Sequence, residues 1–334
     1  MSIRVLKPGL LTTVQDLGRT GFQKYGVIVG GAMDPFACRV ANALVGNDES
    51  AAALEITLVG PTLRFDSTLL ISICGADLSP TIDGQAVPLW RPVVVKEGGL
   101  LRFGAARHGV RCYLAVSGGF DLPQALGSYS TYLRAGIGGF QGRALSEGDV
   151  LEVRPSNNLG RAIADKLAAA AKDAPFASAR WHVSSAMMPD YRPDPVVRAV
   201  EGPQMHGFDP ESVADFFAGT FQVLPQSDRM GYRLKGEPLR LADPAELISE
   251  PVAFGTVQVP PDGNPIVLMA DRQTTGGYPK IAQVITVDLP LIAQVQIGGS
   301  IRFRPVSLRE AQELYWIAET EWEWLKKSIF MQFR

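Results

Sequence analysis

The chain lacks what marks a nucleic-acid or membrane-surface protein. Its 32 Lys and Arg are offset by 34 Asp and Glu, leaving a formal charge of −2, and the cations are scattered without a basic run. Binding to phosphate backbones or anionic headgroups needs clustered cations, so both partner classes are disfavoured. No apolar stretch approaches the ~18 residues that span a bilayer. The start, Met1-Ser-Ile-Arg-Val-Leu-Lys-Pro-Gly9, has no apolar core of signal-peptide length. A cytoplasmic location is the expectation.

Cysteine and histidine are scarce. Cys38, Cys74 and Cys112 are odd in number and form no CxxC pair, so they read as buried free thiols of a reducing compartment. His108, His182 and His206 lie far apart and no HExxH occurs, so the sequence carries no metal motif. GxxxxGK[ST] and GxSxG are missing as well. Any ATP used here is therefore not held by a Walker-type loop, and no hydrolase nucleophile elbow is present.

What is abundant is short strands. Ala53–Leu58, Leu69–Cys74, Arg111–Val116, Pro265–Ala270 and Gln283–Val287 are rich in Val, Ile and Leu and are set among 34 Gly and 24 Pro. Asp83-Gly84 and Asp262-Gly263 have hairpin-turn chemistry. Strands this short and close predict a mainly β protein of barrels or sandwiches. Three helices interrupt them. One starts at Asp34, an N-cap carboxylate before Pro35, and stops at Gly46. A second covers Gly160–Asp173. A third opens with the capping-box spacing Ser307-Leu-Arg-Glu310. Its stripe of Leu308, Ala311, Tyr315, Ala318, Trp322 and Leu325 predicts docking on the protein body.

At 334 residues the chain exceeds the usual single domain. A weak internal repeat supports two related halves. Arg19-x-Gly21-aromatic matches Arg229-x-Gly231-aromatic; Glu55 and Glu250 each precede a glycine by five positions; Gly118-Gly119-Phe120 echoes Gly276-Gly277-Tyr278; and Gly148…Arg154-Pro155 echoes Gly298…Arg304-Pro305. The expected domains are 1–155 (β-rich, with a helical insertion), a helical linker 156–195, a β-barrel at 196–306, and a C-terminal helix at 307–330.

Chemistry concentrates after the strand Ile266–Ala270. Asp271 offers a carboxylate, Arg272 a fork of donors, Gln273 an amide, Thr274 and Thr275 hydroxyls, Tyr278 a phenol and Lys280 a cation. Gly276-Gly277 is suited to an anion nest of backbone N–H groups. A solvated hairpin is the bland alternative. The first half has only Ser117-Gly-Gly-Phe-Asp-Leu-Pro123 at the matching place, which makes the second half the specialised one. Arg229 and Arg233, flanking Tyr232, are candidates to clamp a carboxylate or phosphate. Glu201, Gln204, Gln258, Gln15, Asp16 and Arg19 are secondary candidates.

The motifs Thr12-Thr-Val-Gln-Asp-Leu-Gly-Arg19, Gly31-Ala-Met-Asp34, Glu201-Gly-Pro-Gln204, Ser227-Asp-Arg-Met-Gly-Tyr232, Gly255-Thr-Val-Gln-Val-Pro260 and Met269-Ala-Asp-Arg-Gln-Thr-Thr-Gly-Gly-Tyr-Pro-Lys280 resemble the biotin-dependent carboxyltransferase-like family. This family is also known as allophanate hydrolase subunit 2, or urea-amidolyase-related. Within it the chain is most similar to the KipA-type branch, which supplies the C component of bacterial 5-oxoprolinase. The resemblance implies two related cyclophilin-like β-barrel domains. It also implies a stable complex with a KipI-type B component, a LamB/YcsF-type A component, and ATP-dependent opening of 5-oxo-L-proline. Under that resemblance Gln273 or Thr274 pairs with the substrate amide and Arg229 or Arg272 holds its carboxylate. Lys280 and the Gly276-Gly277 amides take up negative charge, and Asp271 orients Lys280 or assists proton transfer. Two other functions fit the same family: a carboxyltransferase receiving biotin from another protein, since this chain has no Met-Lys-Met biotinylation site, and an antagonist of a KipI-type histidine-kinase inhibitor.

Overall fold

The computed structural model describes residues 1–169, 174–242 and 247–333. They divide into two compact units: residues 1–19, 30–188 and 322–334 form the first, and residues 20–29 and 189–321 the second. Among the described residues no helix is long and apolar enough to cross a membrane.

The first unit holds two six-stranded sheets. One runs in the order Val150–Glu152, Ser2–Lys7, Thr62–Phe65, Leu100–Arg102, Thr81–Ile82, Gln85–Ala86. The other runs Phe176–Ser178, Pro92–Val95, Leu69–Asp77, His108–Val116, Ala53–Thr57, Leu11–Gln15. Alternation in the first sheet turns Ile3, Val5, Leu63 and Phe65 inward, where they join Leu54, Ile56, Ile71 and Leu114 of the second in one apolar core. The strand Leu69–Asp77 is buried on both faces over nearly its whole length, because the helix Pro35–Leu44 covers its other side. That helix begins as its sequence requires: the Asp34 carboxylate accepts from the Ala37 N–H at 2.9 Å, with Pro35 in the first turn. At the predicted turn, Asp83 and Gly84 both have positive φ and join the paired residues Ile82 and Gln85.

The stretch read as a linker, 156–195, is part of the first unit as far as Met188. Its helix spans Asn158–Ala168, two residues earlier than expected, because the Asn157 side chain caps it through the Gly160 N–H at 2.8 Å. The expected C-terminal residues of that helix, 170–173, lie outside the described residues. Phe176–Ser178 then adds an edge strand to the second sheet. The three cysteines are buried and free, and burial pushes each thiol pKa up.

The second unit is a closed barrel. Its strands follow one another as Val196–Glu201, Lys280–Val284, Thr256–Gln258, Ile266–Leu268, Gly231–Lys235, Phe221–Val223 and Ser300–Pro305. Ser300–Pro305 closes on Val196–Glu201 in parallel register, so no ladder edge is left open there. Phe216 of the helix Pro210–Ala218 stacks on Phe303 with ring centroids 4.5 Å apart. The strand expected at 283–287 instead spans Lys280–Val284, and Thr286–Asp288 is a tight turn. Asp288 is buried there, where its carboxylate accepts from the backbone N–H and the guanidinium of Arg198.

The C-terminal helix covers Leu308–Met331 and is capped as predicted, the Ser307 hydroxyl accepting from the Glu310 N–H at 3.1 Å. Its apolar stripe packs only in part. Trp322, Leu325 and Ile329 are buried, whereas Leu308 and Tyr315 stand in solvent. The spacing identifies a face, but only what lies beside each turn decides its burial.

Candidate active site in the second unit

The polar segment begins where the barrel strand Ile266–Leu268 ends and returns to the wall at Lys280, so both of its ends are anchored in the barrel. Between them, Thr275–Gly276 pairs with Glu250–Pro251 in a small ladder, with Gly276 opposite Glu250. The pairing places Glu250 over the lysine. The Lys280 ammonium is buried, its side chain 7% exposed, and lies 2.6 Å from the Glu250 Oε2. Gln204 ties the two together: its Oε1 accepts from the Lys280 backbone N–H at 3.2 Å and its Nε2 donates to the Glu250 Oε2 at 3.3 Å. The hydrogen bond and charge of Lys280 hold the Glu250 carboxyl below the usual glutamate pKa. Gly202 lets this corner close, since a Cβ there would lie 2.2 Å from the Lys280 carbonyl oxygen.

Asp271 has a different partner from the one expected. Its two carboxylate oxygens accept from Arg229 at 2.9 and 3.0 Å, with both side chains buried. Asp271 therefore pairs with the 229 loop and not with Lys280. Arg272 differs. Its guanidinium carbon lies 5.6 Å from the Phe254 ring centroid, its Nη1 donates to the Met269 and Ala270 carbonyls at 3.3 and 3.5 Å, and its Nε is buried with no hydrogen-bond partner. Burial lowers its pKa to about 10. A desolvated cation with an unused donor is suited to meet an anion.

The other candidates divide clearly. Gln273 is exposed on the loop and Thr275 is exposed in the ladder, Thr274 is half-buried, and Tyr278 is 45% exposed. Gly276 and Gly277 do not form the expected anion nest: neither is at positive φ, and Gly276 lies in the ladder, close against the Gln258 side chain. Gln258 is buried and donates to the Tyr278 carbonyl at 3.3 Å, which holds the loop. Tyr232 is buried in the second unit, its hydroxyl donating to the carbonyls of Ala293 and Val295 at 3.4 Å. Glu201 is exposed at the end of its strand, opposite Ala282. Beside the segment, Gly277, Tyr278 and Pro279 join Leu239, Val259 and Pro260 around a cleft of about 700 Å³.

Gln15, Asp16 and Arg19 belong to the first unit and hold its loops. The Asp16 carboxylate accepts from the Gly18 and Tyr129 N–H groups and the Ser128 and Ser130 hydroxyls. Arg19 donates to the Ser130 carbonyl, and Gln15 to that of Thr131. Glu250 is the residue that sequence reasoning left out of the site. The repeat marks it beside Glu55, but nothing in the local sequence ties it to a lysine thirty residues away.

This is a carboxyltransferase-type β architecture. The solved Kluyveromyces lactis urea amidolyase superposes with a TM-score of 0.84 at 30% identity, covering 96% of this chain and 19% of that one. The family model for the carboxyltransferase domain, subdomain A and B, matches residues 25–305, and the chain belongs to that family. Two relatives, each named as the C component of 5-oxoprolinase, match nearly end to end. The one from Haemophilus influenzae is 41% identical over 302 residues, 90% of each chain; that from Escherichia coli is 40% identical over 309, covering 92% of this chain and 93% of its own. The urea amidolyase of Saccharomyces cerevisiae is 32% identical over 94% of this chain, which spans 17% of that longer protein.

Proposed function

We propose that this chain is the C component of a multi-component, ATP-dependent 5-oxoprolinase, converting 5-oxo-L-proline, ATP and water to L-glutamate, ADP and phosphate. The near full-length match at about 40% identity to two proteins of that name carries the reading. The site supports it: a buried ammonium at the barrel wall, a desolvated guanidinium and exposed amide and hydroxyl groups together match a small lactam bearing a carboxylate. In this reading Arg272 holds the substrate carboxylate and Gln273 or Thr274 pairs with the lactam amide. Lys280, held by Glu250 and Gln204, stabilises negative charge on the lactam oxygen. A KipI-type B component completes the site and a LamB/YcsF-type A component takes part in hydrolysis. ATP binds in the complex, and no residue of this chain is assigned to it.

The decisive experiment reconstitutes the chain with its partner proteins and follows ATP-dependent loss of 5-oxoproline, omitting one component at a time. Turnover should require this chain and be lost in Lys280→Ala. Turnover that persists without this chain would favour the role of a KipI antagonist. The urea amidolyase likeness favours a second reading, carboxyl transfer to a small amide from biotin on another protein. Carboxylation of urea with a carboxybiotinylated carrier, in place of 5-oxoproline turnover, would support it.

A further inference from the structure

The C-terminal helix buries Trp322, Leu325 and Ile329 on one side and leaves two tryptophans in solvent on the other. Trp316 is 71% exposed, Trp324 64% and Met331 66%. Exposed tryptophans two turns apart on one helix are unusual outside interfaces. At about 100° per residue, Arg309, Glu313, Trp316, Thr320, Trp324, Lys327 and Met331 all fall within about 40° of the direction of Thr320. Their spacing reads the same in both directions from Thr320.

We infer that this face is a self-complementary dimer surface, on which the helix packs antiparallel against the same helix of a second copy, with the two-fold axis at Thr320. In that arrangement residues equidistant from Thr320 on opposite sides meet across the axis. Trp316 meets Trp324 of the other copy, and Glu313 meets Lys327, each contact occurring twice. The opposite charges of Glu313 and Lys327 and the paired aromatics inside them point to a second copy as the occupant, because one patch supplies both halves of each contact; Arg309, which also pairs with Glu313 along its own helix at 2.8 Å, meets Met331 at the outermost rung. The centre is small and its polar group is already satisfied: the Thr320 hydroxyl donates to the Trp316 carbonyl at 2.9 Å. The inference concerns assembly and does not depend on the reaction proposed above.

Sedimentation velocity of the full chain from about 1 to 100 µM tests it. A concentration-dependent dimer is expected. Glu313→Lys alone and Lys327→Glu alone each put like charges together at two rungs and should weaken the dimer by about tenfold or more. The double variant Glu313→Lys/Lys327→Glu should restore it, and Trp316→Ser/Trp324→Ser should abolish it. All these positions are solvent-exposed, so the variants leave the folded chain intact as judged by circular dichroism. A chain that stays monomeric throughout, a face protected only when partner proteins are added, or a dimer indifferent to the charge swaps would overturn the assignment.

Discussion

The carboxylate of Glu250 lies 2.6 Å from the buried ammonium of Lys280, which reaches it across a two-residue ladder that the sequence does not announce. Because Lys280 depresses the Glu250 pKa, the pair is intact above the ordinary glutamate range and breaks only as pH falls through the lowered value. Carbon-detected NMR should therefore find the Glu250 carboxyl titrating below about 4.3 in the native chain and returning to that ordinary value in Lys280→Met. Identical titration in the two proteins would show that the pair does not form.

The Arg229–Asp271 pair should behave as a structural bridge. Asp271→Asn leaves a buried guanidinium facing a neutral amide and should destabilise the fold by roughly 3–5 kcal/mol in chemical denaturation. Replacing both residues with apolar ones of similar volume should cost much less. A double variant as unstable as Asp271→Asn would argue that packing, not charge, sets the loss.

Gly202→Ala tests how tightly the lysine corner is built. The added methyl would meet the Lys280 carbonyl and the backbone of Ile281 and Ala282, which cannot yield as a flexible side chain would. A loss of about 1–3 kcal/mol is expected, together with reduced turnover under the 5-oxoprolinase reading. Wild-type melting and wild-type turnover would mean that the corner is looser than its geometry implies.

Arg272 should separate binding from stability. Its folded pKa is lower than its unfolded one, so the unfolded chain binds more protons between those values and stability rises as pH climbs through about 10. Removing the desolvated charge with Arg272→Met should leave the thermal midpoint unchanged or raised at neutral pH. Under the 5-oxoprolinase reading, KM for 5-oxoproline should rise about tenfold or more with a smaller change in kcat. An unchanged KM would remove Arg272 from the substrate site.

Asp16 provides the contrast in the first unit. Four hydrogen bonds converge on its carboxylate from residues 18, 128, 129 and 130, so Asp16→Asn turns acceptors into a mismatched amide. A loss of about 2–4 kcal/mol is expected in denaturation, with turnover per folded molecule retained. Loss of turnover without loss of stability would instead give this motif a chemical role.

Several features were legible because they are local. The Asp34 and Ser307 caps, the Asp83-Gly84 turn, the short strands and the polar run after Ile266–Leu268 each depend on neighbours within a few residues, where propensity and hydrogen-bond reach dominate. The buried lysine at the end of that run was legible as a candidate for the same reason.

Partnership was not legible. Asp271 and Lys280 lie nine positions apart, yet their partners Arg229 and Glu250 are 42 and 30 residues away, and barrel closure and the small ladder bring them in. Neither glycine of the nest expected at Gly276-Gly277 has positive φ, and Gly276 is held in the ladder opposite Glu250, a long-range pairing. Amino-acid order alone determined which residues carry charge, cap helices and turn chains. Which charges cancel, and which side of the last helix meets solvent, was decided by the tertiary structure, because burial and ion pairing depend on what lies nearby in space and not along the chain.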